Sequence, residues 1–310
     1  MYQQENQVIQ YTISDDTGDA YATVYRLFPG VEAAFVSVHM ARFDFGVLDQ
    51  GRKSRHACIH YCREGRLEQE VDREFFYLMP GDCSVAMEDR ERKQFRLPLG
   101  HYHGIVIGID PETVGEPLKS YLESCGCPPW ESLAHICGGR SHIVLRSSEI
   151  AGKYFESLYD GEEDQRLEYL RVRLPELFLR MKQAKTDRSY FDHSFVPRTQ
   201  VELVKAVSEY ITRNLNGKIT VKDLTREFGI SDTALQKAFR SVYGMPVISF
   251  IRAQKMQSAA QMLIRTDRTI EEIASEFGYE NESKFSAAFK RIMGDPPGVY
   301  RREHSKIKIL

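Results

Sequence analysis

The sequence predicts a multidomain α+β chain with a strand-rich N-terminal half and an all-α C-terminal third. Three observations carry this. The stretch "EFGISDTALQKAFR" from Glu227 is echoed by "EFGYENESKFSAAFKR" at 276–291, each flanked by helix start and stop signals. Residues 1 to about 145 instead run in short apolar-rich segments broken by turns, such as "AAFVSVHMARFDFGVLD" and "EFFYLMPGDCSVAM". Charge divides the same way: residues 197–310 hold 19 Lys and Arg against 13 Asp and Glu, leaving 23 against 31 in the remainder. A basic C-terminal part behind an acidic one points to a polyanion met by one end only.

Composition sets outer bounds. With 310 residues, 42% hydrophobic and 28% charged, the chain is long enough for about two folded domains. It has no apolar run of transmembrane length, and its start, "MYQQENQVIQYTISDDTGDA", lacks the basic and apolar regions of an export signal. A cytoplasmic protein without membrane contact is expected. The six cysteines have neither the density nor the spacing of a disulfide framework, so reduced thiols are the expectation.

From the N-terminus, the runs "HACIHYCREGRLEQEV" and "YHGIVIGID" join those above as short strands spaced for a sandwich or a small barrel. Pro80-Gly81 supplies a turn. A barrel of this size can hold one small ligand, and the polar residues in or beside these strands are His60, Arg63, Arg66, Glu68, Tyr77, His101, Tyr102 and His103. Any one of them is more often a surface or satisfied core residue. Alternation places His56, Cys58, His60 and Cys62 on one strand face, with His101 and His103 in "GHYHG" and a further soft cluster at Cys125, Cys127, His135 and Cys137. No bound metal and no cofactor are expected from them.

Residues 147–185 read as helical. Leu167, Leu170, Leu174, Leu177 and Met181 step by three and four, a seam suited to a second subunit, with packing inside the chain as the alternative. Pro175 lies within the pattern and is expected to kink or restart the helix. The polar stretch "QAKTDRSYFDHSFVPRTQ" reads as a linker ending near Pro197. The expected division is thus 1–146, a helical segment 147–190, a linker 191–198, and 199–310.

In the C-terminal part, aligning the two Glu-Phe-Gly triplets matches Leu224 with Ile273, Phe228 with Phe277 and Gly229 with Gly278. After a one-residue slip, Phe239 matches Phe289, Gly244 Gly294, Pro246 Pro296, Phe250 Tyr300 and Arg252 Arg302. A motif present twice is a duplication rather than a solenoid. Thr220 and Thr269 are N-cap candidates, each followed three residues on by an acid, Asp223 or Glu272, as in a capping box. Gly229 and Gly278 end these first helices. Second helices start at the caps Ser231 and Asn281 and run to about Val242 and Met293. Leu235, Ala238, Phe239 and Val242 form the buried stripe of one; Phe285, Ala288, Phe289 and Ile292 form that of the other.

The opposite faces carry Thr233, Gln236, Lys237 and Arg240 in the first copy, and Glu282, Ser283, Ser286 and Lys290 in the second. Such side chains can read base edges or hold phosphates, although a solvated bundle face has the same composition. Between the copies, residues 246–266 read as one long helix with Ile248, Ile251, Met256, Ala259 and Leu263 inward. About twenty residues make a strut of about 30 Å, against about 34 Å between successive major-groove faces of B-DNA. One chain can therefore present two helices to adjacent turns of a duplex.

Residues 199–302 resemble the DNA-binding region of the AraC/XylS family of bacterial transcription regulators, through "IASEFGYENESKFSAAFKR", "DPPGVYRR" and "LTREFGISDTALQKAFR". The resemblance implies seven helices, the first near 199–214 with Val204, Val207, Ile211 and Leu215 as its stripe. It implies base contacts at Thr233, Gln236 and Lys237, with Arg240 nearer the backbone, and at Glu282, Ser283, Ser286 and Ala287. Because Glu282 repels phosphates, the first motif is expected to supply more specificity. The N-terminal half resembles the cupin-like sensory β-barrel found in many such regulators. The resemblance as a whole implies a transcription regulator, an activator by family habit, that binds double-stranded operator DNA under control of a small-molecule effector and, if activating, meets RNA polymerase; the leucine seam adds a homodimer as the expected assembly. A metal-dependent cupin enzyme fused to a DNA-binding domain is the alternative, but the Glu that follows His-x-His in such enzymes is missing from "HYHGIVIG".

Overall fold

In the computed structural model the described residues are 7–305, except 16–17, 41, 44–55, 72–73, 89–94, 111, 141, 147–149, 184–194 and 217–218. The chain divides into two compact units, Met1–Pro197 and Arg198–Leu310.

The first unit contains twelve strands among its described residues: β1 (Val8–Asp15), β2 (Gly18–Phe28), β3 (Val31–His39), β4 (Arg42–Phe43), β5 (His56–Gly65), β6 (Leu67–Val71), β7 (Glu74–Leu78), β8 (Cys83–Glu88), β9 (Phe95–Arg96), β10 (Tyr102–Ile109), β11 (His142–Leu145) and β12 (Phe195–Val196). They form a seven-stranded sheet in the order β1-β2-β3-β10-β5-β8-β11 and a five-stranded sheet in the order β12-β7-β6-β9-β4. Every pair is antiparallel. Among the described residues neither sheet closes on itself, and no strand of one pairs with a strand of the other. The expected cupin-like β-barrel is therefore corrected to two open sheets packed face to face. The physical reason lies in the second sheet, where among the described residues β4, β9 and β12 are two residues each and carry no ladder round to β1 or β11.

Period-two alternation sorts the side chains of the large sheet. Ile59 and Tyr61 of β5, with Ile105, Ile107 and Ile109 of β10, face a layer of helices: α1 (Glu116–Ser124), α2 (Pro129–Cys137), α3 (Phe155–Ser157) and α4 (Arg166–Gln183). Cys62, Tyr102, Val36 and Val38 face the other way and meet Leu67, Phe76, Leu78 and Phe95 of the small sheet. Leu167, Leu170, Leu174, Leu177 and Met181 are all buried in the first of these cores. The leucine seam expected at a subunit contact thus packs inside the chain, where its side chains leave water against the apolar residues of the sheet and of α2. α4 passes through Pro175 as one element. The expected 191–198 linker lies, up to residue 194, outside the described residues.

The second unit is all α: α5 (Arg198–Arg213), α6 (Val221–Phe228), α7 (Asp232–Tyr243), α8 (Val247–Arg265), α9 (Ile270–Glu276), α10 (Glu282–Met293) and α11 (Pro297–Ser305). The seven helices among its described residues match the number implied by the family resemblance. Val204, Val207, Ile211 and Leu215 are buried, and Tyr210 of α5 meets Phe228 of α6 edge-on at 5.8 Å.

Candidate nucleic-acid interface

Two helix-turn-helix motifs, α6–α7 and α9–α10, are built by the caps the sequence advertises. Thr220 Oγ1 accepts from the Asp223 N–H at 3.2 Å, and Asp223 Oδ2 accepts from the Thr220 N–H at 3.0 Å. Thr269 and Glu272 repeat this at 3.1 and 2.8 Å. Two of the N–H groups that a helix start leaves unpaired are so satisfied in each motif. The bonds favour the ionised acids: the Thr220 hydroxyl holds Asp223 below its ordinary value of 3.8, and the Thr269 N–H holds Glu272 below its ordinary 4.5.

The turns differ slightly. α6 ends on Gly229 at φ 60°, whereas α9 is capped by Phe277 and leaves the positive φ, 78°, to Gly278. The Tyr279 N–H then donates back to the Ala274 carbonyl at 3.0 Å, closing the turn that aims α10.

Second helices start on Ser231 and Asn281, whose side chains accept from the N–H groups of Ala234 and Lys284 at 3.3 and 2.8 Å. Leu235, Ala238, Phe239 and Val242 of α7 are buried, as are Phe285 and Phe289 of α10. Ala288 is half-buried and Ile292 is 36% exposed, so the α10 stripe is narrower than its spacing predicts. In α8, Ile251, Met256, Ala259 and Leu263 point inward, but Ile248 is 39% exposed and Val247 and Phe250 take the inward places near the helix start. Pro246 is the N-cap of α8 rather than a residue of its first turn.

The outward faces hold the expected side chains. Thr233, Lys237 and Arg240 are exposed on α7 and, with Asp232, Gln236 and Ser241, line one shallow groove. Gln236 is only half-buried there, and both ends of its amide are engaged: Oε1 accepts from the Val247 N–H and Nε2 donates to Asp232 Oδ1, each at 3.3 Å. Glu282, Ser283, Ala287 and Lys290 are exposed on α10, with Ser286 half-buried. Glu282 is the first residue of α10, where a carboxylate is favoured by the helix dipole whatever it meets outside. α8 spans 19 residues, about 28 Å.

The residues expected as ligand contacts in the first unit fall into separate groups. Tyr77 Oη donates to Glu68 Oε2 at 2.7 Å, both being buried, and the Arg66 guanidinium sits 5.2 Å from the Tyr77 ring centre. Burial lowers Arg66 to about 10, with Arg146 adding to the effect. Arg63 lies instead over the Tyr159 ring at 4.0 Å and pairs with Glu156 at 3.5 Å. His60 is buried beside Cys58 Sγ, 3.2 Å away, and Tyr102 Oη donates to the Tyr61 carbonyl at 3.0 Å. His103 Nε2 is 3.1 Å from His39 Nε2, a neighbour that sequence spacing does not reveal, and His103 Nδ1 is 3.4 Å from Glu64. His101 Nδ1 lies 3.2 Å from the Leu99 carbonyl oxygen, and burial pulls its pKa down.

The His56 side chain lies outside the described residues. Cys125 and His135 are exposed while Cys127 and Cys137 are buried, burial pushing the Cys137 thiol up to about 11. Among the described residues no group of three or more His, Cys, Asp or Glu is placed to hold a metal ion, and no helix is long and apolar enough to cross a membrane.

A family model described as a helix-turn-helix domain matches residues 224–303. The chain is 28% identical over 102 residues to the HTH-type transcriptional activator AarP of Providencia stuartii, covering 33% of this chain and 76% of that protein. It is 32% identical over 100 residues to the Transposon Tn10 TetD protein of Escherichia coli, covering 32% and 72%. A putative AraC-like transcription regulator of Streptomyces lividans is 35% identical over 83 residues, covering 27% of each. The duplicated, capped motif and these similarities agree: the chain belongs, through its C-terminal helix-turn-helix domain, to the AraC/XylS family, and it is a sequence-specific DNA-binding transcription regulator of that type.

Proposed function

We propose that the chain is an effector-controlled regulator, acting as an activator, whose two motifs read adjacent major-groove turns of one operator half-site. The observation that carries this reading is the pair of outward faces on α7 and α10, joined by the 19-residue α8. Thr233, Lys237 and Arg240 supply the base and phosphate contacts of the first reader. Ser283, Ser286 and Lys290 supply those of the second, with Glu282 accepting from a cytosine amino group. The first reader, richer in cations, carries more of the specificity.

Residues 1–146 take up a small molecule, 147–190 brace them, 191–198 link, and 199–310 read DNA. His60, buried in the first unit with its ring 5.0 Å from that of Phe95 of the small sheet, supports a ligand site between the two sheets. Two chains pair as a homodimer, and since the leucine seam is occupied inside the chain, the outer side of α4 is the available helical surface, with Val172 75% exposed. Effector binding shifts how two reading units are held, and hence how paired half-sites are occupied. An activator of this kind meets RNA polymerase beside its operator.

A thermal-shift screen of metabolites against the full chain tests effector control. A ligand that raises the melting temperature and changes the operator footprint supports it. Footprints indifferent to every stabilising ligand contradict it.

A further inference from the structure

Each reading motif is tied to α8 by a side chain that bonds to backbone. Pro246 caps α8 without a side-chain bond, and the Val247 N–H is met instead by Gln236 Oε1 of α7 at 3.3 Å. That N–H is one a helix start cannot satisfy internally, so the reading helix itself completes the strut. Gln236 Nε2, held by Asp232 at 3.3 Å, fixes the amide in this orientation.

On the second motif, Lys255 in the middle of α8 donates from Nζ to the Phe277 carbonyl at 2.9 Å. Phe277 caps α9 immediately before the turn into α10, so this bond holds the turn that aims the second reader. At the far end of α8, Arg301 Nε donates to the Leu263 carbonyl at 3.0 Å, and its Nη2 donates to the Arg268 carbonyl. α11 thereby pins both the last turn of α8 and the loop leading to α9.

These ties have a consequence that packing alone lacks. Phe239 against Phe250 and Phe289 against Tyr300 are apolar ring contacts, and such contacts tolerate sliding. A hydrogen bond weakens steeply when its direction changes, so the three ties hold each motif at one rotation and one height on the strut. Two readers at fixed separation accept one spacing between the base steps they read.

We propose that Gln236, Lys255 and Arg301 are positioning residues that set the separation and rotation of the two readers, and hence the spacing within a half-site that this chain accepts. The inference rests on the two-reader function proposed above. Under it, Gln236 acts on DNA through the placement of α7 rather than by touching a base.

The test is selection from a pool of random-sequence duplexes by the full chain, followed by sequencing of the bound fraction. Wild type is expected to recover bipartite sites with one spacing. Lys255→Met keeps the aliphatic stem and removes the donor. Its preference for that spacing over neighbouring ones is expected to fall about fivefold. Lys255→Arg, which keeps a donor, restores the single spacing, and the core variant Val207→Ala, destabilised without loosening a tie, keeps it. A single undiminished spacing with Lys255→Met overturns the proposal. Unipartite sites from wild type overturn the two-reader function itself, and the positioning proposal with it.

Discussion

Phe289 packs edge-on against Tyr300, their ring centres 5.4 Å apart. The first motif repeats the arrangement with Phe239 and Phe250 at 5.5 Å, so α8 serves the first motif as α11 serves the second. Phe239 and Phe289 are fully buried, and truncating either removes a large core side chain and leaves a cavity. Phe239→Ala and Phe289→Ala are each expected to destabilise the second unit by about 3–5 kcal/mol. Ile292→Ser, at a position 36% exposed, is expected to change it by no more than about 0.5 kcal/mol. Urea unfolding followed by far-UV circular dichroism measures both; a large destabilisation by Ile292→Ser would place that residue in the core.

The capping boxes make the second unit acid-sensitive. Asp223 and Glu272 titrate below their ordinary 3.8 and 4.5 in the folded state, so the unfolded chain binds protons more readily. Their stabilisation is full above those ordinary values and is lost as pH falls through the lower, folded ones. Thr220→Ala and Thr269→Ala should each cost about 1 kcal/mol at neutral pH, with the difference from wild type narrowing towards pH 3. The sole tryptophan, Trp130, packs in the first unit, so its fluorescence follows that unit separately while circular dichroism follows the helices. A difference that stays constant down to pH 3 would mean that the carboxylates are not the titrating partners.

Lys237 stands exposed on α7 and Ala287 on α10. Lys237→Ala should weaken operator binding and lower the slope of log affinity against log salt by about 1, because one fewer phosphate is neutralised and one fewer counterion released. Ala287→Gly should leave the slope unchanged. Fluorescence anisotropy over a salt series compares them, and equal slopes for Lys237→Ala and wild type would mean that Lys237 meets no phosphate.

Local signals account for most of what is legible in the sequence. Thr220 with Asp223, Thr269 with Glu272, Ser231 and Asn281 all cap helices through bonds within three residues, so residue spacing alone locates them. Barrel closure is not legible, because it depends on whether strands far apart in sequence pair, and among the described residues both sheets stay open. The Leu167 to Met181 seam has the spacing of a coiled coil, but periodicity does not say which apolar surface it meets. Lys255 and Arg301 escape a sequence reading for a similar reason. Their acceptors are backbone carbonyls, which leave no mark on residue identity. The family resemblance gives Gln236 as a base contact; its bond to Val247 spans a helix junction that composition does not reveal.

The two-reader arrangement is tested most directly by hydroxyl-radical footprinting of the full chain on a selected duplex. Two protected patches on one side of the DNA are expected, about 10 base pairs apart. Lys237→Ala should weaken one of them more than the other. A single patch, or protection without sequence preference, would contradict the presence of two readers on one strut.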